Sequence, residues 1–147
     1  DRLLQLIGQQ LAAHGVPGDR LWLQIPEAKV FTHLRQALAF LAGATALGCK
    51  VGLEKFGSGL DSFQLLTHFQ PAFLKLDRSF TEDLPRTPAH QQKIRDIAVR
   101  AQSLGVPSIA EFVQDAATMS FLFTSGVDYV QGHFMAAPAA TMNYDFS

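Results

Sequence analysis

Residues 50–77 read KVGLEKFGSGLDSFQLLTHFQPAFLKLD, and this stretch decides the fold. Lys50 to Phe56 has the character of a strand, and Gly57-Ser58-Gly59 interrupts it. Phe63, Leu65 and Leu66 mark a helix over roughly 61 to 69, Pro71 stops it, and Phe73-Leu74-Lys75-Leu76-Asp77 is a second strand. Two strands joined through a helix, with no hairpin dipeptide between them, pair in parallel.

The same order recurs on both sides. Upstream, Leu3, Leu4, Ile7 and Leu11 recur at helical spacing, Gly15 and Pro17-Gly18 end that helix, and Leu21 to Ile25 reads as a short buried strand. Phe31, Leu34, Leu38 and Leu41 then predict one helix ending near Gly48. Downstream, Pro85 and Pro88 punctuate a loop, and Ile94, Ile97, Ala98 and Ala101 form a helical stripe capped by Gly105. Ser108 to Phe112 is the next strand. Asp115 caps a helix carrying Phe121 and Leu122, Gly126 ends it, and Asp128 to Gly132 closes the series.

Five helix-then-strand units predict an α/β fold with a parallel sheet. Each strand ends in polar residues or glycine: Gln24 and Glu27, Glu54 and Lys55, Lys75 and Asp77, Glu111 and Gln114, Gln131 and Gly132. Parallel strands bring these ends to one rim, which favours a barrel-type site over a doubly wound sheet. The phosphate fingerprint of the doubly wound fold lacks its third glycine in Gly57-Ser58-Gly59-Leu60-Asp61-Ser62. A closed eight-stranded barrel takes about 250 residues. The 147 residues are therefore expected to be one domain, the C-terminal portion of a TIM-like (β/α) barrel whose first strands lie upstream or whose edges another chain covers.

The chain carries 12 Lys+Arg against 13 Asp+Glu and is 48% hydrophobic, which suits a folded core and argues against disorder. A net charge of −1 gives no footprint for a nucleic-acid polymer or an anionic membrane. No apolar stretch approaches the ~18 residues of a membrane span, so direct membrane insertion is not expected. The single Cys49 excludes an intrachain disulfide, and a reducing cytoplasm is the expected location. The histidines at 14, 33, 68, 90 and 133 have no zinc-ligand spacing.

Four segments occur in order: Gly-Leu-Glu-Lys-Phe-Gly-Ser-Gly at 52–59, Leu-Lys-Leu-Asp-Arg-Ser-Phe at 74–80, Ala-Glu-Phe-Val-Gln at 110–114 and Asp-Tyr-Val-Gln-Gly-His-Phe at 128–134. Together they closely resemble the EAL domain family, over essentially the whole chain. The resemblance implies a β/α barrel that binds cyclic di-GMP, and in active members hydrolyses it with two divalent metals. The family's name-giving Glu-Ala-Leu motif and its Asn-x-Ser strand are absent from these residues.

Two-metal phosphodiester hydrolysis needs oxygen donors around ions about 3.5–4 Å apart. Here the pattern departs from the family. Gln24-Ile25-Pro26-Glu27 stands where the family has Glu-x-Thr-Glu, Glu54-Lys55-Phe56-Gly57 where it has Asp-Asp-Phe-Gly, and Glu111-Phe112-Val113-Gln114 where it has Glu-Gly-Val-Glu. Lys55 puts an ammonium at a metal-ligand position, where it repels a cation. Lys75, Glu111 and Gln131 keep the family's residues. The resemblance therefore implies a degenerate, non-catalytic member with no metal, most similar to the FimX type. That type is a cyclic di-GMP receptor that acts on type IV pili and twitching motility through a PilZ-domain protein.

The residues expected to bind cyclic di-GMP are Glu54, Lys55, Lys75, Asp77, Glu111, Phe112, Gln131, Gly132 and Met135. Five of these have an ordinary structural reading as well. Lys55 could be a surface lysine at a strand end, but its place inside the family's signature favours a site position. Phe112 either stacks on a guanine or plugs the barrel mouth. Glu111 and Gln131 could satisfy loop amides, and Lys75, inside an apolar strand, needs a carboxylate partner, Glu54 or Glu111. His133 and Met135 follow the last strand, and Ala137 stands where the family has an arginine. Two other readings remain: an interaction scaffold that binds no nucleotide, and a weak cyclic di-GMP phosphodiesterase.

Overall fold

A computed structural model describes residues 2–132. Five strands form one parallel sheet in the order β1 (Trp22–Pro26), β2 (Lys50–Phe56), β3 (Leu74–Leu76), β4 (Ser108–Ala110) and β5 (Tyr129–Val130). The strands alternate with helices α1 (Arg2–Ala13), α2 (Glu27–Thr32), α3 (Leu34–Ala46), α4 (Ser62–Leu65), α5 (Pro88–Ser103) and α6 (Ala116–Thr124). This is the α/β order of five helix–strand units expected from the repeat.

The core lies between the sheet and its helices. Leu53, Leu74, Leu76 and Ala110 from the strands are fully buried with Ile94, Ile97 and Ala98 of α5. Those α5 positions, with Ala101, repeat at i, i+3, i+4 and i+7, which puts them on one helical face. Pro88 opens α5 rather than lying in the loop before it. The first helical position tolerates proline because its N–H would have no partner there. Gly105, at φ 70°, ends the helix, and Val106 N–H closes on Ala101 C=O at 3.0 Å.

Several boundaries differ from the sequence reading. The helix expected across 31–48 is two helices, α2 and α3, broken at His33, whose φ of −131° and ψ of 51° lie outside the helical range. The helix expected at 61–69 is the short α4 followed by turns at 66–68. Strand β1 was expected to be buried, yet Trp22 is 49% exposed, because β1 is an edge of the sheet among the described residues. The Trp22 ring stacks on Phe73 with centroids 5.2 Å apart. Phe73 lies across Gly52, where a Cβ would come within 2.3 Å of the ring, so the motif's first glycine makes room for an aromatic.

Strand β2 carries a bulge that bears on the site. Leu53 pairs with Leu74 and Phe56 with Leu76, so three residue steps on β2 match two on β3. The extra residue falls at Glu54-Lys55, and Lys55 takes the left-handed φ of 54°.

Candidate functional site

Parallel strands carry their carboxyl ends to one rim, and the polar residues singled out above collect there. In β3, Leu74 and Leu76 face the core and Lys75, between them, faces the opposite side. Its Nζ lies 3.3 Å from Glu111 Oε2, just past the end of β4, with side-chain exposures of 13% and 31%. Of the two carboxylates considered for Lys75, Glu111 is the partner. Glu54 is half-buried and Lys55 exposed on the bulge beside them, and neither side chain forms an ion pair or hydrogen bond among the described residues.

The loop after β3 is tied to the loop after β4. Asp77 Oδ1 accepts from Ser79 N–H at 2.9 Å and caps the tight turn Arg78–Phe80. The Thr81 hydroxyl, 3% exposed, lies 2.8 Å from both Arg78 C=O and Glu111 C=O, so its single proton is shared between the two loops. The Arg78 guanidinium lies over the Phe112 ring, 4.4 Å from its centroid. Its Nε and Nη2 donate to Glu82 Oε1 at 3.3 and 3.2 Å.

Phe112 is half-buried and has φ 66°, a left-handed conformation that glycine adopts freely and an aromatic residue rarely does. Holding a phenylalanine there costs about 1–3 kcal/mol. Beside it, Gln131 N–H donates to Ala110 C=O at 2.8 Å, and Gln131 C=O accepts from Val113 N–H at 2.9 Å. The Val113 loop amide is thus satisfied by the Gln131 backbone, and the exposed Gln131 side chain makes no hydrogen bond among the described residues. Gly132 has a packing reason: a Cβ there would lie 2.1 Å from Val113 C=O. Met135 and His133 lie outside the described residues.

Glu27 opens α2 and is 4% exposed. Its Oε2 accepts from Gly59 N–H at 3.3 Å and from Ser58 Oγ at 3.4 Å, while Ser58 Oγ also lies 2.8 Å from Lys55 C=O. The carboxylate that the pattern aligned with a metal-binding motif thus pins the glycine loop after β2. Between that loop and α2 lies a cleft of about 650 Å³ lined by Ala28, Phe31, Leu34, Leu60 and Leu65 beside Asp61 and His68. Lys75, Glu111 and Phe112 do not line it.

Among the described residues no group of three or more His, Cys, Asp or Glu side chains is placed to hold an ion. Glu27 is spent on the loop, Glu111 is paired with Lys75, and Lys55 brings a positive charge to the rim. Elsewhere, burial raises the Cys49 thiol above its ordinary value. No helix among the described residues is long and apolar enough to cross a membrane.

Arg78 and Thr81 were not singled out in the sequence. Arg78 sits inside a quoted motif, but its contact depends on the φ of Phe112, 34 positions away, for which the glycine at that place in the family's pattern was the available signal.

The family model described as EAL domain matches residues 1–138. The structure is similar to the EAL domain of Xanthomonas citri FimX solved with c-di-GMP, at 59% identity and TM-score 0.94, covering 100% of this chain and 58% of that one. The Bacillus subtilis signaling protein YkoW is 31% identical over 136 residues, 92% of this chain and 17% of its own length. The Escherichia coli cyclic di-GMP phosphodiesterase PdeR is 30% identical over 142 residues, 97% of this chain and 21% of its own length. The chain thus spans about a fifth of the length of these two curated relatives.

Proposed function

This chain belongs to the EAL domain family, and from that premise we propose that it is a non-catalytic cyclic di-GMP receptor. The observation that carries the reading is the Lys75–Glu111 pair at 3.3 Å, with Phe112 beside it, on a rim where no group of three or more His, Cys, Asp or Glu is placed to hold an ion among the described residues. A cation held between strand ends suits a phosphodiester, and an aromatic ring suits a guanine. The similarity to an EAL domain solved with c-di-GMP supports the same ligand. Glu54, Lys55, Asp77, Gln131, Gly132 and Met135 complete the proposed contact set, and binding needs no metal.

The bound state is read, in this proposal, by a PilZ-type protein partner that acts on type IV pili in the cytoplasm. Resemblance to the FimX type supports this step. The apolar cleft beside Phe31 and Leu60, 77% and 109% exposed, supports the second reading of an interaction scaffold without nucleotide.

Calorimetric titration of cyclic di-GMP into the intact protein with excess EDTA tests the receptor reading. Saturable binding in chelator is expected. No binding in chelator, or linear dinucleotide product with manganese or magnesium, would overturn it. Retention of a purified PilZ-domain protein only when the nucleotide is present tests the partner step.

A further inference from the structure

Arg78 and Phe112 come from different loops, and their contact adds a part that the receptor reading does not use. The guanidinium carbon stands 4.4 Å from the ring centroid, while Nε and Nη2 are held by Glu82 Oε1. The turn that carries Arg78 is anchored as well. Asp77 caps it, and Thr81 ties the Arg78 carbonyl to that of Glu111, the residue immediately before Phe112. Guanidinium and ring are thus joined both through space and through the backbone.

A planar cation stacked on a phenyl face fixes the ring's tilt in a way that a lysine ammonium does not. The ring needs such support. At φ 66° Phe112 lies outside the regions where neighbouring backbone normally orients a side chain, and such conformations persist only where the surroundings hold them. With one face under the guanidinium, a base can reach only the opposite face of this half-buried ring.

We propose that Arg78 is a positioning residue of the cyclic di-GMP site, covering one face of the Phe112 ring and holding the other toward a guanine. The proposal rests on the receptor reading and names a residue that shapes that site. It makes the order guanidinium, phenyl, purine, so Arg78 acts on the ligand through the ring rather than as a charge on the phosphate.

The test is a titration of cyclic di-GMP into wild type and the variants R78A, R78K, F112A and R78A/F112A. R78A is expected to weaken binding about tenfold, within the range of a lost base–aromatic stack. R78K keeps the charge but not the plane and is expected to restore little of it. In the F112A background, R78A should add almost nothing. A cyclic dinucleotide carrying 2-aminopurine at one base should be quenched by wild type and largely unquenched by R78A. Arg78 is exposed at 59%, so the melting temperature of R78A should stay near that of wild type. Wild-type affinity in R78A, full rescue by R78K, or additive losses in the double variant would overturn the proposal while leaving the receptor reading intact. Absence of binding by wild type would remove both.

Discussion

The Lys75 ammonium lies 3.3 Å from the Glu111 carboxylate, joining β3 to the residue that follows β4. Both groups keep some contact with water, so the pair contributes little to stability, about 1 kcal/mol or less. Its larger consequence is chemical: it fixes a cation at the end of β3, on the rim to which Lys55 of β2 also brings a positive charge. K75M should therefore lower stability by no more than about 1 kcal/mol in urea denaturation. It should also weaken cyclic di-GMP binding at least tenfold by calorimetry. A variant that unfolds readily, yet binds normally when folded, would assign Lys75 a structural role alone.

Phe112 offers a comparison in which the ring is lost twice. F112G and F112A both remove the stack under Arg78, but only glycine accepts φ 66° without steric cost. F112G should be more stable than F112A by about 1–2 kcal/mol in denaturant melts. Both should bind cyclic di-GMP more weakly than wild type. Equal stability of the two variants would show that the left-handed backbone is not retained once the ring is gone.

Glu27 holds the loop after β2 through Gly59 N–H and the Ser58 hydroxyl. E27A removes a charged acceptor from the exposed Gly59 amide, which should cost about 1.5–3 kcal/mol. E27Q retains an acceptor oxygen and should lie closer to wild type. Hydrogen exchange at the Gly59 amide reports the change directly: faster in E27A, intermediate in E27Q. Unchanged exchange in E27A would mean that the bond to Glu27 does not restrain the loop.

The strand order was legible because each unit repeats one pattern of apolar stripe, stop residue and short strand, and parallel pairing follows once hairpin turns are missing. Asp115, Gly105 and Gly126 end or begin helices where local chemistry requires them to. The site was less legible. Lys75 announced a need for a partner, but the choice of Glu111 over Glu54 depends on a bulge in β2 that no residue type marks. Glu27 matched a metal-ligand pattern by position, whereas its burial at the start of α2 directs it to a loop amide. The Arg78–Phe112 stack was hidden for a related reason. Phenylalanine at a left-handed position is the opposite of what its propensity predicts, and only the glycine at that place in the family's pattern pointed to it.

Asp115 supplies a pH dependence whose sign can be worked through. Its Oδ1 accepts from Thr118 N–H at 2.7 Å at the start of α6. That backbone bond, with the Thr118 side chain and the Ala117 amide, holds the carboxyl below its ordinary value of 3.8, with desolvation opposing. A group depressed in the folded state stabilises fully above its unfolded value. That contribution declines as the pH falls through 3.8 and is gone once the folded carboxyl is protonated. D115N keeps a capping oxygen but has no charge to lose. Wild type should therefore melt higher than D115N by a constant margin well above pH 3.8, and the margin should shrink progressively as the pH falls below 3.8. Thermal melts of both proteins across that range check it. A margin that stays constant or grows on acidification would show that the ionised cap does not stabilise α6.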